Sequence, residues 1–140
     1  MSRVILLAAD RPLPLLEPAF RRVRCTGRFT VETDGFSVRP HEYYRGAVDE
    51  LGLELKPFQY ELDLEATQED VNALRAYLAG HCRSGEQVEL WNLWVGVDRE
   101  DQVPRFQGEL ADLALDTLEQ LCFPPVERGC PGQCRLTVTI

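Results

Sequence analysis

The stretch FQYELDLEATQEDVNALRAYLAGHC, Phe58 to Cys82, changes its hydrophobic period midway, and that change decides the fold. Phe58, Tyr60, Leu62 and Leu64 alternate with Gln59, Glu61, Asp63 and Glu65. Period two predicts a strand with one buried and one solvated face. Thr67 with Asp70 then resembles a capping box, Asp standing where Glu is usual, and opens a helix to about Cys82. Val71, Leu74 and Leu78 form its inward stripe, with Tyr77 beside them.

Toward the C-terminus, Gly85 turns the chain into Gln87–Val95. Apolar residues fall on both faces there (Val88, Leu90 and Trp94 against Trp91, Leu93 and Val95), which predicts a central strand. Val103–Leu113 supplies the next strand, with a bulge expected at Gly108. A short helix starts at Asp116 or Thr117, runs through Cys122 and stops at Pro124-Pro125. Cys134, Leu136, Val138 and Ile140 alternate as a last strand. Strand, helix, strand, strand, helix, strand over about 56–140 is the order of a ferredoxin-like βαββαβ sandwich. The expected class is α+β, with a mostly four-stranded antiparallel sheet and two helices on one face. That architecture hosts many unrelated functions and implies no activity.

Toward the N-terminus, Val4–Ala9 is a continuous apolar run, read as a buried strand. Pro12, Pro14 and Pro18 deny regular structure to Arg11–Pro18, an extended connector. Phe29–Thr33 and Phe36–Arg39 flank Asp34-Gly35, a two-residue hairpin signal. His41–Leu51 predicts a short helix with Tyr44, Ala47, Val48 and Leu51 on one face and Gly52 as its left-handed cap. No linker is long enough to separate domains. Residues 1–140 read as one domain, with 1–55 extending the sheet or covering its open face.

The 140 residues are 44% apolar and 27% charged, an ordinary globular composition. The net charge of −8 argues against nucleic acid, because phosphate binding needs a cationic footprint. Its distribution is uneven: residues 1–45 hold eight arginines against five acids, and the remainder is strongly acidic. A basic arm folding back on an acidic body is one reading. An acidic face that attracts a basic partner is the other. The longest apolar run is six residues, too short to span a membrane, and no cleavage site follows it. A cytoplasmic protein with five reduced cysteines is the expectation.

Three groupings carry candidate chemistry. His41-Glu42-Tyr43-Tyr44-Arg45 places a base, an acid, phenols and a cation together, and in a helix His41 and Arg45 share a face. His41 would be a general base and Arg45 an anion clamp. With Glu42, Tyr44, Tyr60 and Trp94 they would line a pocket between the N-terminal extension and the sheet. Trp91 and Trp94, three apart on a strand, point to opposite faces, and the hairpin would cover the one on the open face. Cys130 and Cys134, with Cys122 upstream, have a spacing zinc permits, but no second ligand pair follows. A phosphate loop, G-x-S-x-G, H-E-x-x-H and C-x-x-C are all absent, and no cofactor is implied. The leading expectation is a small cytosolic binding or adaptor protein that works through an acidic surface on a protein partner or a second copy. A small-ligand binder or enzyme at the His41 cluster is the alternative, and a thiol or zinc site at the cysteines the third.

Overall fold

The structure, a computed structural model, describes residues 2–96, 103–125 and 132–140. Its strands are β1 (Ser2–Ala9), β2 (Arg21–Thr26), β3 (Phe29–Asp34), β4 (Ser37–Pro40), β5 (Phe58–Asp63), β6 (Gln87–Val95), β7 (Arg105–Glu109) and β8 (Cys134–Thr139). The helices are α1 (Arg45–Asp49), α2 (Gln68–His81) and α3 (Leu115–Cys122), with a 3-10 turn at Leu110–Asp112. The protein is thus of mixed α+β class, and from β5 onward its elements follow the expected order.

The pairing is different from what that order suggested. One six-stranded sheet runs β4-β5-β1-β6-β8-β7, and β2-β3 form a separate two-stranded ribbon. β1 lies between β5 and β6, antiparallel to both, so β5-α2-β6 is a βαβ unit split by the N-terminal strand. β7 and β8 are adjacent and parallel, so β7-α3-β8 is an unsplit βαβ unit. A ferredoxin-like body is therefore present here as an element order and not as a pairing; the sheet is neither four-stranded nor wholly antiparallel. The physical reason is the apolarity of β1. Val4–Ala9 are buried on both faces, and only a central position removes both faces from water. Register along β7 is continuous from Arg105 to Glu109, so Gly108 makes no bulge.

Two layers cover the sheet. α2 and α3 pack Val71, Leu74, Leu78, Leu118 and Leu121 on one face, against Ile5, Leu7, Leu62, Leu90 and Leu136. On the other face Val4, Leu6, Trp91 and Leu93 lie under Tyr44, Ala47, Val48, Leu51, Leu53 and Leu55. The short helix and the segment after it cover this face; the hairpin does not. α1 ends at Asp49, two residues short of the expected Leu51, with Glu50 as its C-cap; Gly52 still takes the expected positive φ, +68°, in the turn that follows, where a side chain would be strained. α2 opens on Thr67, whose hydroxyl accepts the Asp70 amide at 3.1 Å.

The hairpin turns at Gly27-Arg28, not at Asp34-Gly35. Gly27 supplies the required positive φ, +60°. Gly35 is instead the crossing from ribbon to sheet. Its amide donates to the Phe20 carbonyl at 2.8 Å, and a Cβ there would lie 2.6 Å from the Phe20 ring. Glycine is needed at 35 for close approach rather than for a turn.

Candidate functional site

The residues singled out around His41 do not converge. α1 begins only at Arg45, so the helical spacing that would set His41 and Arg45 on one face does not operate. His41 is 3% exposed, and neither ring nitrogen has a hydrogen-bond partner among the described residues. Burial, and then the nearby Arg45 charge, hold its imidazole below the ordinary value; Asp49 opposes them weakly. Glu42 and Arg45 are exposed. Tyr44 packs with the cluster on one face of the sheet and Tyr60 with the cluster on the other. The Tyr60 hydroxyl accepts the Leu13 amide at 2.8 Å, a structural tie to the proline-rich connector.

Trp91 and Trp94 do point to opposite faces of β6. Trp91 is buried, and its Nε1–H donates to Glu89 at 3.3 Å. Glu89, which no pattern in the sequence marks, is buried as well. It also accepts the Lys56 amide at 2.9 Å and faces Arg135 at 3.5 Å, with the Arg135 guanidinium 5.4 Å from the Trp91 ring centroid. Both carboxylate oxygens are engaged, so this network fastens the covering segment to the sheet. Trp94 is half-buried, and its amide donates to the Gln133 side chain at 2.8 Å. Asn92 is fully buried and donates to the Leu121 carbonyl at 2.8 Å.

Cys122 and Cys134 sit in the core. Burial pushes the Cys122 thiol up to about 11 and the Cys134 thiol up to about 12, so both stay protonated at neutral pH. Cys130 lies outside the described residues. Among those described, no group of three or more His, Cys, Asp or Glu side chains is placed to hold a metal.

The feature left standing is the β2–β3 ribbon. It projects as an arm, and neither outer edge pairs with another strand among the described residues. Cross-strand pairing of Arg24 with Val31 and of Thr26 with Phe29 puts these four residues on one face. Phe29 is 79% exposed and Val31 48%, and Arg24 stands beside them. The arm's acids, Glu32 and Asp34, lie on the opposite face, across from Val23 and Arg21. Its root is rigid: Arg22 is buried and bonds Asp70, Asp63 and the Asp34 carbonyl. Composition had signalled a basic N-terminal region, but not that its Arg24–Val31 face turns toward Glu65 and Thr67 across a cavity of about 150 Å3, with Phe29 beyond it at the tip.

A second concave feature lies at the far edge of the sheet, between β7 and α3. Its floor is Phe106, Leu113, Leu136 and Val138, and its rim includes Glu109, Asp112 and Asp116. The cavity measures about 170 Å3. No helix among the described residues is long and apolar enough to cross a membrane. No protein-family model, curated protein or solved structure matches the chain.

Proposed function

We propose that this chain is a small cytosolic binding protein whose arm is its contact element. One observation carries the reading. Phe29 is 79% exposed and Val31 beside it 48%, on a ribbon that a buried arginine anchors. Large apolar side chains grouped on an exposed surface mark interaction sites, and an aromatic ring flanked by arginine is a usual anchor of protein interfaces. Free strand edges add a second means of attachment through backbone hydrogen bonds.

The test is native mass spectrometry of the protein isolated gently from its own cells, as wild type and as Phe29→Ser. A second polypeptide retained by the wild type and lost from the variant is the expected result. A polypeptide retained equally by both, or none retained by either, overturns the reading.

A further inference from the structure

The groove between β7 and α3 has the shape and charge to receive a strand. The Arg135 amide donates to the Pro104 carbonyl at 2.9 Å, which sets the phase of the parallel pair. Alternate residues Arg105, Gln107 and Glu109 therefore direct their backbone groups away from β8. No strand pairs with that outer edge among the described residues. Beside it, the absent side chain of Gly108 leaves room: a Cβ built there meets nothing within 4 Å. At about 170 Å3 the cavity falls below the roughly 300 Å3 where small-molecule sites begin. Its volume is near that of a closed cavity able to take up benzene, about 150 Å3, but it is open to solvent and its lining is mixed, so it suits a ring whose edge stays near charged groups.

We infer that this groove receives the β2–β3 arm of a second copy of the same chain. The inference rests on the arm being a contact element. A β3 strand laid along β7 turns Phe29 and Val31 to one side together, toward the apolar floor. Phe29 fills the cavity. Arg24, on the same face, and Arg28, at the turn, meet the acids Glu109, Asp112 and Asp116 on the rim. Arg24 approaches Glu65 of its own chain at 3.4 Å, yet its side chain remains 75% exposed, so that contact does not occupy it. The arm's two acids lie on its other face and are kept from the acidic rim.

The arm cannot fill the groove of its own chain. It is rooted at β4, and β7 is five inter-strand spacings away, about 24 Å across the sheet. Arg22 fixes the root there through Asp63 and Asp70. Arm and groove thus sit at opposite edges of one molecule, complementary in charge and unable to meet except between copies. The contact is satisfied twice in a two-fold dimer, or repeats head to tail.

The experiment is sedimentation equilibrium on the full chain. Five proteins are compared: wild type, Phe29→Ser, Gly108→Leu, the arm variant Arg24→Glu/Arg28→Glu, and the groove variant Glu109→Arg/Asp112→Arg. Urea midpoints check that each remains folded. The wild type should self-associate below about 200 μM, and less so at high salt. Phe29→Ser and Gly108→Leu should weaken association by at least about thirtyfold. Each charge variant alone should be monomeric, and an equimolar mixture of the two should associate again, because every arm then faces a groove of opposite sign. A wild type that stays monomeric throughout, or a mixture that does not re-associate, overturns the inference. A monomer that nonetheless retains another polypeptide through Phe29 would overturn only the self-docking and leave the arm as the contact element.

Discussion

Arg22 and Asp70 form a buried two-point ion pair that ties the arm to the start of α2, with Nε to Oδ1 at 3.0 Å and Nη2 to Oδ2 at 2.5 Å. Arg22 reaches Asp63 as well, and Asp70 receives the Thr67 hydroxyl and the Glu65 amide. Burial, the largest influence on the guanidinium, pulls its pKa down. The hydrogen bonds to Asp70 and Asp63 outweigh that and hold it above the ordinary value. The arm is therefore positioned by charge in a dry setting, not by apolar packing.

Arg22→Ala should cost about 3–5 kcal/mol, because it strands the Asp70 carboxylate in the interior. Urea unfolding measures it. A loss below about 1 kcal/mol would show that Asp70 finds other partners without Arg22.

Leu62→Ala should cost about 2–5 kcal/mol. Leu62 is 4% exposed on β5 and packs beneath α2. The same urea titration decides it. A change below about 1 kcal/mol would mean that the register of β5 is not what buries the side chain.

His41 should make the protein sensitive to acid. Its folded pKa is lowered, so the unfolded chain takes up the proton first. The contribution is full above the unfolded value near 6.5 and falls as pH drops through 6.5 toward the folded value. His41→Phe should abolish that part of the loss. Comparing urea midpoints of both proteins at about pH 7.5 and about pH 5 measures it. An equal decline in the variant would place the acid sensitivity elsewhere.

The core thiols should be slow to react. Alkylation at neutral pH, read by peptide mass spectrometry, should label the exposed Cys25 well before the buried Cys122 and Cys134. Cys122 and Cys134 should be modified only when the chain unfolds, since burial raises both pKa values and denies access. Labelling of Cys134 at the rate of Cys25 would contradict its place beneath α3.

How much could be read before the fold was known differs by residue. Hydrophobic period is local, so the β5 alternation, the α2 stripe from Val71 to Leu78, the two-faced β6 and the left-handed Gly52 were all visible in the chain. The candidate site was not. The His41 grouping depended on a helix starting four residues earlier than it does. The apolar residues of the arm looked like part of a covering hairpin.

Sequence alone determined the strands and helices that carry a regular hydrophobic period, because each records its own burial in its own spacing, while β2, exposed along most of its length, carries no such trace. It also set the basic balance of residues 1–45 and the acidic balance of the remainder. Tertiary structure alone decided that β1 divides β5 from β6, that β7 and β8 run parallel, and that Phe29 and Val31 stay in the open. Those outcomes rest on contacts between residues far apart in the chain: Arg22 with Asp70, Leu6 of β1 with Glu61 and Trp91, Phe106 of β7 with Leu136. Such contacts leave no periodic trace, because the two partners share no local pattern until the chain has brought them together.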